Sequence, residues 1–232
     1  MTNVGVASQF LERSGVSQFI VFSAIYFLTL FSTASLAAGK PPVPPGRDPG
    51  GVAIAIIGAG VDYTVPEVAA RLARDGEGEI IGWDFIDDDR RPYQSPPAVL
   101  PGAELIAGSS AGARICVARV VPVNREMTAR AIGWAARSPA RIAFILGGAP
   151  DPALLEAAAR QFPDLLFVVT AAGAAVPVEA PPPEPENVIT VTMEGAWSAV
   201  TAIARQAAMI LAAEPALPAA ALKANILAAS PR

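Results

Sequence analysis

The sequence contains no histidine among its 232 residues. Imidazole is the only side chain whose ordinary pKa lets it accept and return protons near neutral pH, so a Ser-His-Asp or Cys-His catalytic arrangement cannot be assembled from this chain. The usual nitrogen ligand of catalytic zinc is missing as well. The only lysines are Lys40, in a proline-rich segment, and Lys223, near the carboxyl terminus, and neither is placed to act as a base.

Cysteine and charge are also scarce. The single cysteine, Cys116, excludes an internal disulfide, and its apolar neighbours predict a small buried thiol. Charged residues make up 16% of the chain and the net charge is −4, so we expect no nucleic-acid partner. Hydrophobic residues make up 53%, which is enough to build a packed core.

The N-terminal segment is predicted to direct export. An apolar stretch over residues 19–30 follows Arg13 and precedes small residues, which is typical of a signal peptide over residues 1–37 that is cleaved after Ala37. An uncleaved anchor over residues 19–38 is the alternative, because that stretch is long enough to span a bilayer. In both cases we expect a periplasmic or secreted body, with membrane contact only if the segment is retained.

Residues 38–50 are rich in proline and are predicted to form a stiff linker to a domain over residues 51–232. Within that domain, strand-like and helix-like patterns alternate. Strands are predicted over residues 52–57, 79–85, 114–121, 141–146, 165–171 and 188–193. Helices are predicted over residues 64–74, 127–137, 152–162, 196–213 and 218–229. This order predicts an α/β fold with a parallel sheet and helices on both faces.

Several blocks of the domain carry a family resemblance. They are VAIAIIGAGVDYTVPEV, IIGWDFIDDD, AGARICVARV, AFILG, VVTAAGA, NVITV and GAWSAVTAIARQAAMIL. The order of these blocks, rather than any one of them, resembles that of the subtilisin-like serine proteases (subtilases, peptidase S8), and the resemblance covers about residues 51–230. It implies a three-layer fold with a mainly parallel central sheet flanked by helices.

The resemblance also implies that the catalytic machinery is lost. It places Gly58 at the aspartate of the triad, Ala98 near the histidine, Ala174 at the asparagine of the oxyanion hole and Trp197 at the nucleophilic serine. Ser198 falls one residue after the nucleophile and has no histidine to activate it. We therefore expect a degenerate member, a pseudo-peptidase with no catalytic residues, because loss of these groups together removes almost all of a triad enzyme's rate enhancement.

The same resemblance implies a peptide groove. Its strand would comprise Phe144, Ile145, Leu146, Gly147 and Gly148, whose backbone could pair with an extended peptide without a triad. Subtilases carry some tens of residues between the last core strand and the serine helix, whereas this chain passes there directly, so a trimmed cleft is expected. The expected function is binding of a peptide or protein partner outside the cytoplasm. The alternatives are a serine endopeptidase, by family similarity, and an enzyme of unrecognised mechanism.

The remaining motifs favour structural roles. Asp84 with the acidic run 87–89 could hold calcium, but the run lacks the glycine-punctuated spacing of a dedicated loop and precedes two arginines, so a solvated turn with local ion pairs is favoured. The glycines at 58 and 60 resemble half of a dinucleotide fingerprint without its third glycine. Asp62 is predicted to cap the turn that follows it. No metal and no cofactor are expected.

Overall fold

The computed structural model describes residues 39–94, 112–121, 123–148, 150–171, 184–192 and 196–229; for residues 171, 196 and 197 the description covers the backbone alone. The chain divides into two compact units, Met1–Pro41 and Pro42–Arg232. The predicted signal peptide over residues 1–37, together with Ala98 and Ala174, lies outside the described residues. Among the described helices, none combines the length and apolar character needed to cross a bilayer.

Six strands of the second unit form one sheet in the order β2-β3-β1-β4-β5-β6, and every neighbouring pair is parallel. The strands are Val52–Gly58 (β1), Gly82–Asp84 (β2), Ala113–Arg119 (β3), Ile142–Ile145 (β4), Leu166–Ala171 (β5) and Val188–Thr192 (β6). The predicted α/β class with a parallel sheet is confirmed.

The described helices are Pro66–Ala69 (α1), Arg125–Arg137 (α2), Pro152–Gln161 (α3), Ala196–Ala213 (α4) and Ala219–Ala229 (α5). Two of them begin at capping side chains: Asn124 accepts a hydrogen bond from the backbone N–H of Met127 at 2.9 Å, and Asp151 accepts one from that of Leu154 at 3.0 Å. Such caps satisfy N–H groups that have no partner within the helix, and they fix where α2 and α3 start.

The sheet separates two hydrophobic cores. Ile54 and Ile56 of β1 pack in the core that includes residues of α4 and α5, whereas Ala55 and Ile57 pack in the core that includes residues of α2 and α3. All four side chains are at most 2% exposed. Burial on both faces explains why β1 is a continuous apolar run instead of an alternating one.

The helix predicted over residues 64–74 is wrong beyond its first turn, since α1 has only four residues. The chain leaves the helix to pair with β3: the carbonyl of Arg71 accepts from the N–H of Ile115 at 2.7 Å, and the N–H of Ala73 donates to the Ile115 carbonyl at 2.8 Å. Sheet pairing therefore outweighs local helix propensity here. Val65 occupies the N-terminal cap position of α1 and makes no side-chain hydrogen bond to the helix.

The proline-rich segment ahead of β1 forms hydrogen bonds and apolar contacts with the rest of the domain. The carboxylate of Asp48 lies 2.7 Å from the backbone N of Arg74 and 2.7 Å from the guanidinium of Arg114. Val43 packs against the core that contains α4 and α5. Residues 43–50, the N-terminal strap, are thus part of the folded domain, although the sequence predicts a linker that extends to residue 50.

Candidate functional site

The topology of the sheet marks one point at its carboxyl edge. From β1 the chain passes to β2, on one side of β1, and from β4 it passes to β5, on the other side. In open α/β sheets, ligands bind in the crevice that forms where the connections of neighbouring strands diverge in this way. The carboxyl ends of β1 and β4 are therefore the candidate site, and Gly58 and Leu146 lie there.

A glycine and a leucine occupy the centre of this edge. A Cβ atom built on Gly58 would lie 3.4 Å from the carbonyl oxygen of Leu146 and 3.5 Å from its Cβ, which is ordinary contact. The backbone of Gly58 lies outside the left-handed region, so its conformation does not require glycine. Leu146 is 4% exposed, and its N–H donates to the carbonyl of Ile57 at 2.9 Å. Neither residue supplies an ionisable group.

The carboxylate that follows β1 is engaged locally. Asp62 is 8% exposed, and its Oδ1 accepts hydrogen bonds from the backbone N–H of Thr64, at 2.9 Å, and from the Thr64 hydroxyl. These bonds close the turn after β1, as the sequence predicts.

The carboxylate at the end of β2 forms a buried ion pair. Asp84 is fully buried, with Oδ2 2.7 Å from Nη1 of Arg119, and its Oδ1 accepts from the N–H groups of Ile86 and Asp87. Arg119 also contacts Asp87 at 2.8 Å. Burial alone would lower the pKa of Arg119, but its hydrogen bonds and charge interactions with both aspartates outweigh burial and raise it.

One local ion pair predicted for this acidic run is present, since the Arg91 guanidinium lies 3.9 Å from the Asp89 carboxylate. Arg119 is an additional partner that the sequence did not suggest. A calcium ion at Asp84 would have to displace the Arg119 guanidinium. Within the described ranges, no group of three or more acidic, cysteine or histidine side chains is placed to hold a metal ion.

Close packing accounts for the second glycine of the pair at 58 and 60. Gly60 has a φ of 98°, and a Cβ there would lie 2.8 Å from the carbonyl oxygen of Pro92. The N–H of Val61 donates to that carbonyl at 3.0 Å, and the rings of Tyr63 and Tyr93 pack with their centroids 5.0 Å apart. Gly60 is required by this approach of two chain segments, which explains the half fingerprint without a dinucleotide.

The structure narrows the predicted groove strand. Phe144 and Ile145 pair with β1 on one side and β5 on the other, so their backbone groups belong to the interior of the sheet. Gly147 and Gly148 have φ values of 100° and 138°, so the chain turns immediately after Leu146. A Cβ on Gly148 would meet nothing within 4 Å. Only the segment from Leu146 to Gly148 remains as a peptide-contact candidate.

Only some of the other predicted positions fall within the described residues. The backbone of Trp197 lies in the first turn of α4, and Ser198, beside it, is exposed. Ala98 and Ala174 lie outside the described residues. Which of these positions approach Gly58 therefore stays a prediction from the resemblance.

Comparison with known proteins bears on the fold. No protein-family model matches the chain, and no curated protein matches it significantly. Among solved structures, a cold adapted subtilisin-like serine proteinase is similar, with 15% identity, a TM-score of 0.51, and coverage of 78% of this chain and 82% of that chain. A D-isomer specific 2-hydroxyacid dehydrogenase family protein from Aeromonas salmonicida subsp. salmonicida A449 has 19% identity and covers 87% of this chain and 64% of that one, but its TM-score of 0.33 supports no conclusion.

The first likeness establishes that the chain has a subtilisin-like α/β fold. At 15% identity it extends to the fold alone.

Proposed function

We propose that this chain is a catalytically inactive subtilisin-like domain that is exported and binds an extended peptide or protein segment. The observation that carries the inactivity is the absence of histidine from the entire sequence. The acyl-transfer chemistry of a serine triad needs a base to take the proton of the nucleophile, and imidazole fills that role because of its pKa.

The described residues at the carboxyl edge supply no substitute for that base. Asp62 accepts two hydrogen bonds from Thr64, and Asp84 is buried against Arg119. The Asp84 carboxylate is engaged by Arg119 and by the N–H groups of Ile86 and Asp87, so it is not placed to take a proton from a nucleophile. Ser198 is exposed in the first turn of α4, but the chain has no histidine to take the proton of its hydroxyl.

Peptide binding needs neither a base nor a nucleophile. The turn formed by Gly147 and Gly148 leaves the space beside Gly148 open, and glycines let another backbone approach closely. An extended segment could therefore hydrogen-bond to the backbone of Gly147 and Gly148, which are half-buried. This is the chemistry of peptide recognition by extended pairing, in which main-chain bonds supply affinity and side-chain pockets supply specificity.

Fluorescein-labelled casein, an unfolded polypeptide, tests both parts of the proposal in one sample. We expect its fluorescence anisotropy to rise as protein is added, without release of acid-soluble fragments. Gly148→Leu should weaken this binding, because the new side chain fills the open space at the turn.

The matched control for that variant is Gly78→Leu. Gly78 also has a positive φ, 86°, and nothing within 4 Å of a Cβ, so leucine is strained by the backbone there too, while the position lies between α1 and β2. Equal binding by both variants would refute the groove at Gly148. Fragment release that Ser198→Ala abolishes would refute inactivity.

Export is part of the proposal and rests on the signal-like pattern of residues 1–37. Expression of the full chain in a Gram-negative host, followed by cell fractionation and N-terminal sequencing, tests it. A mature N-terminus at Ala38 in the periplasmic fraction is expected. Recovery of the intact chain in the cytoplasm would contradict export.

A further inference from the structure

A cleft lies between the edge strand β2 and helix α2, on the opposite face of the sheet from α4. Its volume is about 560 Å³, within the range of small-molecule sites. Aromatic rings and arginines dominate its lining, which includes Trp83, Phe85, Arg130, Gly133, Trp134 and Arg137. Residues of the Gly58–Gly148 edge do not line it.

The aromatic wall follows from the geometry of strand and helix. Trp83 lies in β2, and Phe85 follows the last residue of the strand with its N–H still donating to the carbonyl of Arg119 at 2.9 Å. Both side chains line the cleft. Trp134 of α2 contributes a third ring and packs partly against Ala53 and Cys116. All three aromatic side chains are only half-buried, so they leave apolar surface that a planar ligand could cover.

The charged wall comes from α2. Arg130 and Arg137 are seven residues apart, two helical turns, and therefore lie on the same side of the helix. The guanidinium carbon of Arg130 lies 5.3 Å from the centroid of the Phe85 ring. Stacking of this kind orders a guanidinium while its N–H edges stay available for a carboxylate.

The charges of the cleft favour an anion. Within the described part of the chain, neither Arg130 nor Arg137 forms an ion pair. Among the described residues of the lining, Asp88 is the one acidic side chain, so the two arginines leave an excess of positive charge there. A ligand with an acidic group would remove this imbalance.

Gly133 adds an independent indication. It lies inside α2, where glycine is a poor helix former, and alanine would stabilise the helix. A Cβ at this position would meet only Nη1 of Arg137, at 3.4 Å, which is ordinary contact with the end of a flexible side chain. Packing therefore does not require glycine, whereas a ligand seated in the cleft would use the space it leaves.

We propose that this cleft binds an aromatic carboxylate, with the ring against the tryptophans and the carboxylate on Arg130 and Arg137. The ligand could be the C-terminal aromatic residue of a peptide or a free aromatic acid, since both present the same chemistry. The site is separate from the peptide-binding edge and does not depend on its function.

Isothermal titration calorimetry with four probes tests the ligand class. N-acetyl-L-tryptophan, which mimics a peptide C-terminus, and indole-3-acetate should both bind. N-acetyl-L-tryptophanamide, which lacks the carboxylate, should bind at least roughly tenfold more weakly, because hydrogen bonds to a charged acceptor are about twice as strong as neutral ones. Acetate should give no measurable heat. Tighter binding of the acetylated amino acid assigns the site to peptide C-termini, and the reverse order assigns it to free acids.

Single substitutions test whether the ligand binds in this cleft. Arg130→Gln and Arg137→Gln should each weaken the binding of N-acetyl-L-tryptophan by roughly tenfold or more. Arg125→Gln is the matched control, because Arg125 lies at the start of the same helix, is 65% exposed and pairs with Asp151 at 3.7 Å. Gly133→Ala should raise the melting temperature and weaken binding, a combination that misfolding cannot produce.

Two results would overturn the site. One is the absence of binding by both carboxylates at millimolar concentration. The other is wild-type affinity in Arg130→Gln and Arg137→Gln.

Discussion

The contacts of Asp48 test whether the N-terminal strap contributes to the stability of the domain. The carboxylate of Asp48 accepts three hydrogen bonds, each 2.7 Å long, from the backbone N–H of Gly50, the backbone N–H of Arg74 and the guanidinium of Arg114. Arg74 donates in turn to the carbonyl of Pro44 at 2.7 Å. Asp48→Asn removes the charge at nearly constant shape. It should therefore weaken the interactions that hold the N-terminal strap to the rest of the domain.

The magnitude follows from the burial of the pair. The side chains of Asp48 and Arg114 are each 23% exposed, so their interaction is only partly screened by solvent. A hydrogen bond to a charged group contributes about 1.5–3 kcal/mol, so we expect the free energy of unfolding to fall by about 2 kcal/mol. For a domain of this size, that corresponds to a fall of about 4–8 °C in the melting temperature.

Urea unfolding followed by circular dichroism at pH 7 measures the effect. The matched control is Glu156→Gln, which breaks the exposed pair with Arg160, whose side chains are 57% and 71% exposed; it should cost less than about 0.5 kcal/mol. An Asp48→Asn effect as small as that of the control would refute the reasoning.

The pH dependence gives a second readout. Burial alone would raise the pKa of Asp48, but hydrogen bonds from Arg74, Gly50 and Arg114 outweigh it and hold the pKa below its ordinary 3.8. A lowered folded-state pKa means that the stabilisation is complete above the unfolded value of about 3.9 and is lost as pH falls through the folded value. The difference in the free energy of unfolding between wild type and Asp48→Asn should therefore be constant from about pH 7 to 5 and should disappear in more acidic buffer. A gap that persists undiminished would contradict the assignment.

Three further predictions concern a steric contact, a buried ion pair and a buried thiol. Gly51→Ala should lower the free energy of unfolding by at least about 3 kcal/mol in thermal melts, because its Cβ would lie 1.9 Å from a backbone oxygen. Gly50→Ala, also at positive φ but in open space, should lower it by about 1–2 kcal/mol. Equal effects would contradict the steric argument. Asp84→Ala should destabilise the domain by about 3–5 kcal/mol, because it leaves the partly buried charge of Arg119 without its main partner, and a double mutant with Arg119→Met should recover part of the loss. Burial raises the pKa of Cys116 to about 12, so Ellman's reagent should label this thiol only in denaturant, and rapid labelling of the native protein would count against its burial.

The sequence predicts most of the sheet because burial leaves a direct mark on composition. β1 is apolar at nearly every position since both of its faces are covered, and α3 is recognisable from the aspartate and proline at its start. The failure at residues 64–74 has a physical cause. Proline near the start and three alanines favour a helix locally. However, Arg71 and Ala73 gain hydrogen bonds to β3 that only the folded sheet provides.

The candidate sites are less visible in the sequence because they depend on proximity in space. The resemblance directs attention to Gly58, and the topology independently places that residue at the expected crevice. In contrast, Asp84 and Arg119 are 35 positions apart, and neither segment alone indicates their ion pair. The aromatic cleft likewise joins Trp83, in the block IIGWDFIDDD, to Trp134, in the helix predicted over residues 127–137, and neither segment alone indicates the cleft.

Peptide-bond hydrolysis by the purified protein is the measurement that bears most directly on the proposed inactivity. Wild type and Ser198→Ala would be incubated in parallel with labelled casein and with a fluorophosphonate probe that modifies activated serines. The account predicts the same background release from both proteins and no covalent label on either. Casein turnover that disappears in Ser198→Ala, together with labelling of that serine, would contradict it.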